Sequence, residues 1–180
     1  MRGVVLTSFS DLVIEHYGLQ TWEDLLKKAN PKSGGAYTAA EAYSDDELKS
    51  LILVLSEMKN LKVDDLLVTF GEYMFSILRE KFPMFFLEGM SLKDFLLSID
   101  RVIHIEVKKL YPDASLPVFR YEDPAPEKLI IYYNSPRKLC HLGIGLMRGA
   151  AKHFKKSLEI SHAECLHRGD LHCRFDIEFP

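Results

Sequence analysis

The hydrophobic pattern of this chain changes period at Pro112. Before that residue apolar side chains recur every three or four positions; beyond it, short runs of β-branched and aromatic residues alternate, interrupted by one more helical stretch. A proline removes a backbone donor and clashes with the preceding turn, so no helix continues through residue 112. Helices first and strands afterwards, with no repeat, low-complexity stretch or long Ser/Gly linker between them, predict an α+β fold with residues 1–180 as one domain.

The helical part divides at its own punctuation. A first helix spans Met1 to Tyr17 and stops at Gly18; a short second one is capped at Thr21, with Glu23 and Asp24 in its first turn. Gly34 and Gly35 mark a loop from Pro31 to Tyr37. Ser44 and Glu47 then make a capping box for a helix to Lys59, with Leu51, Val54, Leu55 and Met58 as its buried stripe. Leu67, Phe70, Met74 and Leu78 mark a helix from Asp64 to Phe82. The strongest pattern runs from Ser91 to Leu110: Ser91 caps, Asp94 follows three residues on, and Leu92, Phe95, Leu96, Ile99, Ile103, Val107 and Leu110 share one face. Beyond Pro112, strands are expected at Val118 to Tyr121 and Lys128 to Tyr133. A helix from Leu139 to Phe154 follows, then a hairpin from Leu158 to Phe179 turning at Arg168-Gly169-Asp170.

Composition narrows the function classes. With 180 residues and 47% hydrophobic content, the chain can bury a sizeable core without staples, and eleven Phe and eight Tyr suit a large core or an apolar cavity. A net charge of -3 argues against nucleic acid as a partner, the Lys152, Lys155, Lys156 cluster being too small to reverse it. No segment reaches about 18 uninterrupted apolar residues, and the amino end lacks a signal peptide's pattern, so no membrane partner and a cytoplasmic location are expected. No nucleophile-base pair, glycine-rich phosphate loop or carboxylate cluster stands out. The expectation is that the chain is not an enzyme.

Two features carry chemistry. In Ile130-Ile131-Tyr132-Tyr133-Asn134-Ser135-Pro136-Arg137, the donors Tyr133, Ser135 and Arg137 fall at alternate positions, so on an extended chain they share a side, and the guanidinium suits a carboxylate or phosphate. The second is His104, an imidazole in the apolar sequence Val102-Ile103-His104-Ile105. It is either a core histidine bonded to a carbonyl or hydroxyl, or an axial ligand to haem iron. A porphyrin's two propionates would occupy the three donors.

His104 some thirty residues before Tyr133-x-Ser135-x-Arg137, with Pro117 between and helices preceding strands, resembles the H-NOX family of haem nitric-oxide- and oxygen-binding domains, related to the sensor domain of soluble guanylate cyclase. The resemblance spans the whole chain and is to the stand-alone bacterial type. It implies haem b held between a helical amino-terminal part and a carboxy-terminal four-stranded antiparallel sheet with a helix. His104 would be the proximal iron ligand, Tyr133, Ser135 and Arg137 would bind the propionates, and Pro117 would press on the porphyrin. Val5, Phe9, Leu142 and Leu146 would line an apolar distal pocket. No tyrosine follows Tyr133 and His141 is expected at the surface, so the pocket has no hydroxyl to favour dioxygen. The resemblance therefore implies a sensor of nitric oxide and carbon monoxide that excludes dioxygen. Its signal would be release of His104, read by a histidine kinase or a cyclic-di-GMP enzyme. The alternative is an apolar-ligand or protein-interaction module stabilised by zinc, without haem.

All three cysteines lie after residue 139. Centring the last hairpin on Gly169 sets Cys165 opposite Cys173, and with Cys140 and His162 they make a Cys₃His set, the composition of a closed structural zinc site. Some H-NOX proteins have such a site. His162 and Cys165 face opposite ways on a regular strand, so the strand must bend between them. His167 and His172 are rival ligands, and free thiols or a Cys165 to Cys173 disulfide are the other readings. Zinc held by thiolates would add a redox-responsive input.

Overall fold

The structure is a computed structural model that describes residues 1–180. Its elements run α1 (Gly3–Tyr17), α2 (Leu19–Ala29), α3 (Asp45–Lys59), α4 (Val63–Lys81), α5 (Leu92–Ser98), α6 (His104–Leu110), β1 (Val118–Ala125), β2 (Lys128–Asn134), α7 (Cys140–Phe154), β3 (Glu159–Glu164) and β4 (Cys173–Glu178). This is the expected α+β order. The four strands form one antiparallel sheet in the order β1-β2-β4-β3, so α7 carries the chain across and the closing hairpin inserts β4 beside β2. No helix is long and apolar enough to cross a membrane.

Local chemistry shifts several boundaries. Gly18, at φ 86°, ends α1 and also begins α2, so Thr21 is not a cap; its hydroxyl donates back to the Tyr17 carbonyl at 2.7 Å. Ser44 caps α3 by accepting from the Asp46 amide at 3.2 Å, but the expected box is half made. The Glu47 carboxylate is buried and takes bonds from the Ser33 hydroxyl at 2.6 Å and the Tyr37 hydroxyl at 2.9 Å, tying the preceding loop to the helix. At Ser91 the box is complete, with Asp94 N donating to Ser91 Oγ and Ser91 N to Asp94 Oδ2.

The helix expected from Ser91 to Leu110 is interrupted. Residues Ile99–Ile103 form a π turn between α5 and α6. One extra residue in the turn advances the apolar stripe by about 100°. Leu92, Phe95 and Leu96 are buried before it, whereas Leu110, expected on the same face, is 67% exposed after it.

Two apolar cores result. One lies between the sheet and α5, α7 and Phe75 of α4, taking Leu129, Ile131, Tyr133, Cys173, Phe175 and Ile177 from the inner face of β2 and β4. The other gathers α1, α2, α3 and α4 around Leu12, Leu25, Leu51 and Phe70. Helices α4 and α7 join them, crossing backbone on backbone: a Cβ on Gly145 would stand 2.1 Å from the Val68 carbonyl oxygen, and one on Gly71 2.3 Å from that of Leu142. Only glycine permits this approach. Leu146 packs against both cores.

Candidate functional sites

His104 opens α6 just past the π turn, its side chain 17% exposed. Asp100, four residues earlier, holds Nδ1 at 3.3 Å, and the ring lies nearly parallel to Phe119 of β1, centroids 5.5 Å apart. Burial pushes the imidazole pKa down, against the opposing pull of Asp100, so the ring is neutral near pH 7. A carboxylate on Nδ1 fixes the tautomer with Nε2 available to a metal. The histidine thus bonds a carboxylate and not the carbonyl or hydroxyl that a core histidine was expected to find.

Phe119 links this ring to the three donors. Its centroid is 5.7 Å from that of Tyr133, its cross-strand partner on β2. Tyr133 is buried, and its hydroxyl accepts from the Leu139 amide at 3.1 Å. Strand β2 ends at Asn134, so Ser135 and Arg137 belong to the turn that follows and not to the strand face expected of them. The turn still brings them together, because buried Ser135 accepts the Arg137 amide through Oγ at 3.2 Å. Arg137 Nε donates to Asp45 Oδ2 at 2.8 Å, and Nη1 donates to the Ser115 carbonyl. Pro117, half-buried, directly precedes β1.

These groups fit a haem. A neutral imidazole with its second nitrogen held by a carboxylate is an axial ligand's arrangement. The Arg137 guanidinium is shown here binding a carboxylate, the group a propionate offers. Val5, Phe9, Leu142 and Leu146 gather where α1, α4 and α7 meet, Phe9 and Leu142 buried and the other two at the margin. Phe70 and Met74 of α4 complete that region; Phe70 stands edge-on to Phe9 at 5.1 Å. His141 turns away from it. Its Nδ1 meets Asp64 Oδ1 at 3.0 Å, and its ring lies beside His162 and His167.

The second cluster is assembled as its composition suggested. Ligand atoms of Cys140, His162, Cys165 and Cys173 lie within 4.8 Å of one another, and the Cys140 and Cys165 sulfurs are 3.9 Å apart. The required bend is a β-bulge: His162 pairs with Phe175 and Glu164 with Arg174, leaving Ala163 as the extra residue that brings His162 and Cys165 to one side. The three cysteines are free and buried in this structure. The rival histidines are engaged elsewhere, His167 Nε2 on the Lys138 carbonyl at 2.7 Å and His172 Nε2 on Glu164 Oε2 at 2.9 Å. Burial, then the neighbouring thiols, push Cys140 far above a free thiol, and burial raises Cys173. His162 Nε2 is buried without a hydrogen-bond partner. An orphan imidazole nitrogen among three buried sulfurs, two of whose thiols resist ionisation, is the environment a divalent cation reverses, so the donor set fits zinc.

The sequence missed three participants. Asp100 was legible as an i,i+4 partner of His104; Phe119 required the strand to be placed; Asp45 lies 92 residues from Arg137 and left no local signal.

Comparison with known proteins accords with this geometry. Residues 2–162 match the family model described as Haem-NO-binding. The soluble guanylate cyclase gcy-32 of Caenorhabditis elegans is 27% identical over 157 residues, 84% of this chain but 23% of that protein, so the chain spans under a quarter of that relative's length. An H-NOX protein from S. oneidensis, solved in its Fe(II)NO ligation state, superposes with a TM-score of 0.93 at 32% identity, covering 100% of this chain and 99% of that one. The Fe(II) unliganded H-NOX protein from K. algicida gives a TM-score of 0.93 at 33% identity, covering 100% and 97%. With the family model matched over most of its length, the chain belongs to the H-NOX family of haem-based gas sensors.

Proposed function

We propose that this domain, residues 1–180, senses nitric oxide and carbon monoxide at ferrous haem and excludes dioxygen. The observation that carries the reading is the pairing of a carboxylate-held His104 with an apolar region at α1, α4 and α7 where Val5, Phe9, Phe70, Met74, Leu142 and Leu146 carry no hydrogen-bond donor. Bound between them, haem supplies the iron at which a diatomic gas is taken up.

The chain's own residues do the rest. His104 would ligate through Nε2 while Asp100 fixes the ring, and Tyr133, Ser135 and Arg137 would hold the propionates. Val5, Phe9, Leu142 and Leu146 keep water out and give dioxygen, which depends on a donor, nothing to bond. Nitric oxide and carbon monoxide need no donor. Release of His104 would free α6, a two-turn helix joined to α5 through the π turn, and would change the surface shown to a partner enzyme, a histidine kinase or cyclic-di-GMP enzyme by family resemblance. Zinc on Cys140, His162, Cys165 and Cys173 would hold the closing hairpin against α7.

The test is a spectrum of the haem-loaded ferrous protein under air, carbon monoxide and nitric oxide. The Soret band is expected to shift with the last two and not with air, and to disappear in His104→Ala unless imidazole is added. A stable oxygenated spectrum in air overturns the reading.

A further inference from the structure

Helix α6 is held by little packing: none of its seven residues is fully buried. At its amino end the π turn joins it to α5, which Lys93 pins to the β1–β2 hairpin, Nζ donating to the Ala125 carbonyl at 2.6 Å and pairing with Asp123 at 2.5 Å. At its carboxy end Tyr111, whose amide closes the last turn on the Val107 carbonyl, meets Arg2. The Arg2 guanidinium lies over the Tyr111 ring, 3.8 Å from its centroid, and Nη1 stands 3.7 Å from Asp113. Arg2 is 19% exposed and its Nε is buried without an acceptor, so the contact is largely shielded from water, where a cation over a ring gains most. The backbone around Arg2 is fixed in turn. Arg2 bridges Ala42, its Nη2 donates to the Ala40 carbonyl, and the Gly3 and Val4 amides donate to the Glu41 and Ala39 carbonyls at 2.7 and 3.0 Å. Arg2 thus ties the start of α1, the helix that carries Val5 and Phe9, to the end of the helix that begins at His104.

We propose that Arg2 is a positioning residue for His104: its stack on Tyr111 holds the carboxy end of α6 and so restrains the histidine on the iron. The inference rests on the reading of His104 as an iron ligand that nitric oxide releases. With α5 pinned by Lys93, a swing of α6 turns at the π junction and draws Tyr111 away from Arg2. The stack is lost in the released state, so deleting it lowers the cost of release without touching iron, gas or distal pocket.

The measurement is the rate at which the haem-loaded ferrous protein, mixed with nitric oxide, passes from the complex that keeps His104 to the one that has lost it, followed by stopped-flow absorbance. Arg2→Met and Tyr111→Leu are each expected to speed that step about two- to fivefold, the range a cation–π contact supplies. The double variant should be no faster than either alone, because both remove one contact. Tyr111→Phe, which keeps the ring, is expected to match native. A contact that only stabilised the fold would lower the melting temperature and leave this rate alone. Single variants that release His104 at the native rate, or effects that multiply in the double variant, overturn the proposal while leaving His104 as ligand. Native protein that takes up no haem, or never loses His104, overturns the reading beneath it and the proposal together.

Discussion

Arg137 shows how a residue can be legible while its surroundings are not. Its spacing from Tyr133 and Ser135 marked it as an anion binder, but its partners, Asp45 and the Ser115 carbonyl, come from distant chain segments that local pattern cannot place. Arg137→Ala should speed haem transfer to an acceptor globin while nitric oxide still binds, and should cost about 1–3 kcal/mol in a denaturant titration of metal- and haem-free protein, since it leaves the part-buried Asp45 carboxylate with only the amino-terminal ammonium as its cation. Full haem retention would refute its role at the propionates. His162 offers a pH test. Burial, before the neighbouring His141, pushes its pKa down to about 4. Above the ordinary value near 6.5 the ring is neutral folded or unfolded and its burial carries no penalty; as pH falls from there to about 4, the unfolded chain takes up a proton that the native chain refuses, and stability is lost. The melting temperature of metal-free protein should fall across that window, and His162→Gln should flatten the fall.

At the scale of elements, periodicity located every helix, though not its geometry. The π turn at Ile99–Ile103 was invisible because one added residue leaves three-to-four spacing intact on either side. The bulge at Ala163 was foreseen as a need, since two proposed ligands could not otherwise share a side, and its position awaited the paired strands. Deleting Ala163 should restore regular pairing, turn His162 to the opposite face and abolish stoichiometric zinc in metal analysis, with the hairpin's amide protection retained. The α4 and α7 crossing makes a sharper prediction. Gly145→Ala drives a methyl into the Val68 carbonyl and should destabilise by about 3 kcal/mol, whereas Gly143→Ala, with nothing within 4 Å of its Cβ, should be neutral or stabilise by up to about 1 kcal/mol. Thermal melts of the pair check both.

For the molecule as a whole, the order of secondary structure and the two clusters of chemistry were readable from sequence, because residue types and spacings survive without coordinates. The order of the sheet was not. Nothing local states that β4 enters between β2 and β3, a result of how α7 returns the chain. That placement lays Phe119, Tyr133 and Cys173 in a single row across β1, β2 and β4. The row touches His104 at one end and ends in the Cys₃His cluster at the other, over two strand spacings that together make about 10 Å. For anyone rebuilding this scaffold, the row acts as a fixed ruler. Moving β2 along its neighbours by one residue pair would misalign both stations at once, so neither can be transplanted into another sheet unless the register travels with it.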